Sequence, residues 1–223
     1  MSQAIALFAK APVPGRVKTR LHTCMTAAQS ADLHAAFVAD TWERLASVTG
    51  VDRYLYCDQP WDAFEQVAGP ERFKLQRGDD LGSRMLACME ELSALGHERI
   101  LLFGSDSPSL PAAYVEQALV ALDRTDTVLG PADDGGYYAV GCRRPNPEMF
   151  ADVIWSSPNT LRETASSFRS CNLTVTLLAD WYDIDTEAEL ARLAAEPLIP
   201  PNTRRWFERN PDIRARIGGP VVE

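Results

Sequence analysis

Arg99-Ile100-Leu101-Leu102-Phe103-Gly104 is a continuous apolar run closed by glycine. A strand without polar alternation needs cover on both faces, which the middle of a parallel sheet provides when helices lie above and below it. The flanking sequence supplies both kinds of element. Ala4 to Phe8 reads as a buried first strand, and 27–48 carries Ala31, Ala35, Val38, Trp42, Leu45 and Val48 at helical spacing before Gly50 ends it. Residues 51–57 predict a second strand, 63–68 a short helix and 73–76 a weaker strand. Asp79 or Asp80 caps a helix running to about Leu95, with Met85, Met89 and Leu92 on its inner face. Pro111 opens a helix to Leu122, 126–129 is a further strand, and a glycine-rich turn leads into another β segment. Helices are predicted over 147–155 and 159–171, a strand over 173–178, and a helix over 187–196 capped by Thr186.

Strands alternating with helices predict an α/β chain with a mainly parallel, doubly wound sheet, whose ligands bind beyond the carboxyl ends of the strands. Residues 1–196 form one domain in this reading. Residues 197–223 form a proline-rich extension, helical around Arg204 to Arg209 and then frayed, which packs on that domain or on a partner subunit of a homodimer.

The loop after the first strand is the strongest functional signal. Lys10, Arg16, Lys18 and Arg20 fall within eleven residues, and no Asp or Glu precedes Asp32, although the chain carries 31 acids against 22 bases. Gly15 lets the backbone pass close to a ligand, while Pro12 and Pro14 stiffen the approach. The N–H groups of the following helix are expected at the same spot. A strand-to-helix turn of this charge predicts phosphate binding by Lys10, Pro14, Gly15, Arg16, Lys18 and Arg20; the competing reading is a solvated basic loop. Neither G-x-x-x-x-G-K-[ST] nor G-x-G-x-x-G is present.

A net charge of −9 argues against broad binding to nucleic acid or anionic membranes. The first ten residues lack a signal-peptide pattern, and no apolar run reaches membrane-spanning length, so a cytoplasmic protein is expected. Cys24, Cys57, Cys88, Cys142 and Cys171 show no C-x-x-C spacing and read as reduced packing thiols; His22, His34 and His97 read as isolated structural or surface histidines.

The acids supply the other half. Asp106 follows the central strand, and Asp183 and Asp185, spaced i and i+2 after the last strand, share one face if extended. Three carboxylates suit a hard cation such as Mg²⁺ or Mn²⁺ that also binds phosphate. Each acid alone could equally cap a turn or helix. Asp134, Gly135 and Gly136 fit a backbone close to an acceptor or an ordinary tight turn, with Asp133 beside them either binding hydroxyls or facing water. Ser156, Ser157 and Thr160 form a hydroxyl cluster that would hold an acceptor phosphate or cap the next helix; of these, Ser156 and Ser157 are taken as acceptor candidates.

With these residues in place the chain resembles the nucleotide-diphospho-sugar transferase superfamily, the Rossmann-like GT-A fold with its three-layer sandwich. F-A-K-A-P-V-P-G-R-V-K-T-R-L, G-S-D-S-P-S-L-P, D-D-G-G-Y-Y-A-V-G, W-S-S-P-N-T and D-I-D-T look like a bacterial glycosyltransferase-like branch, also called radical-SAM/selenodomain-associated and linked in part to arsenosugar synthesis. The likeness spans about Ala4 to Glu196. It is more distantly similar to guanylyltransferases of phospholactate or phosphoenolpyruvate. That resemblance implies metal at Asp106, Asp183 and Asp185 and nucleotide phosphates at Arg16 and Lys18. Lys18 and Asp106 are taken as the catalytic pair. The D-D-G-G-Y-Y turn departs from the guanylyltransferase pattern. The first expectation is a Mg²⁺-dependent nucleotidyltransferase joining an NTP to a small acceptor and releasing pyrophosphate. A nucleotide-sugar glycosyltransferase is the second, and a nucleotide-binding protein without turnover the third.

Overall fold

Burial along the first strand is nearly continuous, as cover on both faces requires. In the computed structural model, which describes residues 2–218, β1 (Gln3–Ala9) turns Ile5, Leu7 and Ala9 to one face and Ala4 and Ala6 to the other, all of them buried. Each large aliphatic side chain so enclosed contributes about 1.5–3 kcal/mol.

Six more strands complete one sheet: β2 (Asp52–Cys57), β3 (Phe73–Leu75), β4 (Arg99–Gly104), β5 (Thr127–Pro131), β6 (Tyr137–Cys142) and β7 (Val175–Leu177), in the order β3-β2-β1-β4-β6-β5-β7. β1 pairs in parallel with β2 and β4, and β5 with β7; only β6 runs antiparallel among these strands, between β4 and β5. The chain winds outward from β1 through β2 and β3, then returns to β4 on the other side of β1. That reversal opens a crevice where Phe8 and Gly104 stand in register at the carboxyl ends.

Helices α1 (Ala27–Leu45), α2 (Asp62–Ala68) and α4 (Ala112–Ala121) cover the Ile5 face, while α3 (Leu81–Ala94) and α5 (Thr160–Ser170) cover the Ala4 face. The doubly wound α/β architecture is as expected. A third apolar cluster lies beyond α1, where α6 (Glu187–Ala194), α7 (Pro201–Arg209) and α8 (Pro211–Arg216) pack Leu190, Leu193, Trp206, Phe207 and Ile213 around Leu33 and Phe37. There the buried Asp40 of α1 accepts hydrogen bonds from the backbone N–H groups of Asn202 and Thr203 at 2.7 and 2.8 Å, capping α7 from another element. Residues 219–223, part of the tail expected to fray, lie outside the described residues. Among the described residues no helix is long and apolar enough to cross a membrane.

Two local expectations are corrected. Residues 147–155 form successive turns rather than a helix. The Asn146 side chain accepts from Glu148 N, Asp152 is left-handed at φ 59°, and Ile154 N donates to the Glu163 carboxylate, so the backbone groups a helix needs are engaged elsewhere. The first loop likewise does not run straight into α1. A 3-10 turn over Thr19–Thr23 intervenes, and the N-terminus of α1 is closed by its own Thr26–Gln29 capping box.

Candidate active site

The first loop is fastened at its root from three directions. Gln76, just past β3, donates its side-chain amide to the carbonyls of Ala9 and Tyr56 at 3.0 Å each, tying the ends of β1 and β2 together. Ala11 N donates to Asp58 Oδ1 at 2.7 Å, and His34 of α1 lies with Nε2 2.9 Å from the Lys10 carbonyl. Further along, Gly15 at φ 82° reverses the chain, and Val17 and Leu21 are buried as anchors. Between these fixed points Lys10, Arg16 and Arg20 remain exposed. Lys18, left-handed at φ 48°, turns inward, and its side chain is 3% exposed.

The acids meet Lys18 there. Its ammonium lies 2.6 Å from Asp106 Oδ1, 3.0 Å from Asp185 Oδ1 and 2.6 Å from the Ile184 carbonyl. A backbone bond from Ile184 N to Asp106 O, 2.9 Å, joins the end of β4 to the segment before α6. Arg20 reaches Asp185 Oδ2 at 3.3 Å from the solvent side. Burial alone would lower the Lys18 pKa, but the charges of Asp106 and Asp185 outweigh it and hold the ammonium above its ordinary value. Burial pushes the Asp106 carboxyl up, yet Lys18 wins and keeps it below the usual range. Asp183 behaves differently: it accepts from Ser107 Oγ at 2.5 Å, and burial, followed by the charge of Asp106, raises it to about 7.

A cleft of about 660 Å³ opens over this junction. Its wall brings together Lys10, Arg16, Lys18, Arg20, Asp106, Asp185 and Ser156 from the predicted set. Pro14, Gly15, Asp183, Asp134, Gly135, Gly136 and Ser157 are not part of that wall. Gly15 shapes the loop, Asp183 sits behind Asp106, and the turn around Asp134 is internally satisfied, its carboxylate accepting from Gly136 N at 2.8 Å. Gly135 approaches Pro158 so closely that a Cβ there would lie 2.2 Å from the Pro158 carbonyl oxygen, which explains the glycine without a ligand. Ser157 Oγ accepts from Asn159 N, closing the turn before α5.

The wall also holds residues that sequence reasoning missed as site residues: His34, Gln76, Arg84 and Trp155. Arg84 follows the G-D-D-L-G-S segment, read only as a helix start; Asp80 does cap α3, and the same short segment lines the cleft. His34 lies one turn before Phe37 and Val38 on the buried stripe of α1, which could have placed it near the end of β1. Burial lowers the His34 pKa below its ordinary value, against the opposing pull of Asp106, and so disfavours the charged ring.

Residues 20–157 match the DUF2064 family, described as an uncharacterized protein conserved in bacteria. The chain belongs to the DUF2064 family. Among solved structures, this DUF2064 chain is similar to a protein from Desulfovibrio desulfuricans G20 described as a nucleotide-diphospho-sugar transferase. The two are 32% identical over 97% of this chain and 99% of that one, with a TM-score of 0.87. The inositol-1-phosphate CTP transferase of T. maritima shares 12% identity over 100% and 98% of the two chains, TM-score 0.54. A CMP:2-keto-3-deoxy-manno-octonic acid synthetase solved with CTP shares 14% over 86% and 97%, TM-score 0.55. At these identities the last two share the fold with the DUF2064 chain. No curated protein matches it by sequence.

Proposed function

We propose that the protein is a transferase acting on a nucleotide, joining the nucleotidyl group of an NTP to a small acceptor with release of pyrophosphate. The observation that carries this reading is one cleft at the switch point of the sheet lined by both kinds of charge: Lys10, Arg16 and Arg20 exposed in its wall, with Asp106 and Asp185 gathered around Lys18 beside them. A polyphosphate would lie along the cations, with its reacting end toward the acids. Trp155 and Ser156, which line the same cleft, would offer surface to an acceptor.

In this reading Asp106 and Asp185 would present carboxylate oxygens to a Mg²⁺ or Mn²⁺ ion, with Asp183 behind them. The donor set fits such a hard cation in part. Among the described residues no three acidic, histidine or cysteine side chains converge on one point, so phosphate and water oxygens would have to complete the shell. When bound, the ion would supply charge neutralisation to the reacting phosphate. The chain's own work is to bind and align: the basic loop fixes the phosphates, and Lys18 holds the two acids in place.

The D. desulfuricans relative's description favours a second reading, sugar transfer from a nucleotide sugar. Calorimetric titration with each NTP and with common nucleotide sugars, in Mg²⁺, separates them at the binding step. The nucleotidyl reading expects a triphosphate to bind at least tenfold more tightly than the matching nucleotide sugar. The reverse preference, together with nucleoside diphosphate as the released product, would replace it with the glycosyl reading.

A further inference from the structure

Three cations of the first loop behave alike: Lys10, Arg16 and Arg20 are exposed at the cleft. Lys18 does the opposite. An ammonium has three protons, and Asp106 Oδ1, the Ile184 carbonyl and Asp185 Oδ1, at 2.6, 2.6 and 3.0 Å, account for all three. The left-handed backbone at Lys18 is strained for a non-glycine residue, and the enclosed contacts must offset that strain. The Phe37 ring lies 5.6 Å from the same nitrogen.

A second buried group faces these oxygens. The His34 side chain is 4% exposed, and its Nε2 must carry the ring proton, because the Lys10 carbonyl can only accept. In the neutral ring, which burial favours, Nδ1 is then a bare lone pair. Among the described residues it has no hydrogen-bond partner, and it lies 4.0 Å from Asp106 Oδ1. Two carboxylates and a carbonyl surround one ammonium, and an imidazole lone pair stands close behind. Every one of these groups accepts, and such an arrangement calls for a cation.

We propose that Lys18 is the resident counter-ion of this cage, a positioning residue that holds Asp106 and Asp185 together in the ligand-free protein and takes the place of a divalent cation there. Phosphate entering the cleft would offer the ammonium new oxygens, so the divalent cation follows the nucleotide instead of preceding it. This order rests on the nucleotide reading of the cleft; the occupancy of the cage by Lys18 does not, and the test uses no nucleotide.

Thermal melting of the wild-type chain and of Lys18→Met is compared in EDTA and in millimolar Mg²⁺ or Mn²⁺. The wild type is expected to melt at the same temperature in all three. Lys18→Met should melt roughly 5 °C lower in EDTA, because two acids lose their counter-charge, and recover most of that loss in Mg²⁺ or Mn²⁺. Should Lys18→Met not accumulate as folded protein, the double variant Lys18→Met/Asp185→Asn carries the test. With one charge removed it is expected to fold in EDTA and to ignore the metal. Equal stability of Lys18→Met and wild type in EDTA would overturn the proposal. So would equal stabilisation of both by Mg²⁺, or a double variant that fails to fold. Failure of every NTP to bind would end the nucleotide reading while leaving this comparison intact.

Discussion

The first loop, residues 10–20, and the segments across the cleft, residues 132–136 and 147–160, sit at one sheet edge and both contain left-handed backbone, at Gly15 and Lys18 in the one and at Gly135, Asp152 and Ser156 in the other. Their polar groups are used differently. Across the cleft, Asp134 closes its own turn, Ser157 accepts from Asn159 N, and the Thr160 hydroxyl donates within the same loop. In the first loop Lys10 and Arg16 form no ion pair among the described residues, although the chain has acids to spare. Charges left unpaired on a fastened backbone are available to a ligand, whereas groups already bonded within a turn maintain the turn.

Gly135→Ala should have the largest effect and would sharpen the contrast. A Cβ at φ 86° meets Pro158 backbone at 2.2 Å, so the variant is expected to lose more than about 3 kcal/mol, read as a fall of roughly 10 °C in Tm. Next come Arg16→Ala and Arg20→Ala, each expected to weaken NTP binding about tenfold, about 1.4 kcal/mol, with Tm nearly unchanged. Calorimetry at two salt concentrations checks this, since the wild-type affinity should fall with added salt and the variants less so. Gly15→Ala meets nothing within 4 Å, and the left-handed strain alone should cost about 1 kcal/mol of stability. The smallest effect belongs to Ser157→Ala: about 0.5 kcal/mol from the lost turn closure, and no change in nucleotide affinity. If Ser157→Ala weakened binding while Arg16→Ala did not, the two sides of the cleft would have to exchange roles.

The sheet was legible in the chain because apolar runs such as 99–104 and 4–8 leave few alternatives, and the βα order brought Asp106 and the basic loop to one edge although they are far apart in sequence. What periodicity cannot carry is side-chain redirection. The φ of 48° that turns Lys18 inward has no composition signal, and Lys18 therefore reads like its three exposed neighbours. His34 reads as a lone histidine until Lys10 O and Asp106 are placed around it. Residues 147–155 carry enough apolar residues to suggest a helix, but Asn146 closes a local turn by accepting from Glu148 N, a signal the apolar count outweighed, and the bond from Ile154 N to Glu163 reaches outside the segment. The tie between Asp40 and α7 is equally hidden, since a buried acid capping a helix some 160 residues away leaves no local pattern.

The central claim is that a nucleotide polyphosphate lies along Lys10, Arg16 and Arg20 with its reacting end toward Asp106 and Asp185. A crystal structure of the protein soaked with the tightest-binding NTP and Mg²⁺ tests it directly. The account predicts phosphate oxygens within hydrogen-bond distance of the Arg16 and Arg20 guanidinium groups. Nucleotide bound elsewhere on the molecule, with those side chains still facing solvent, would contradict it.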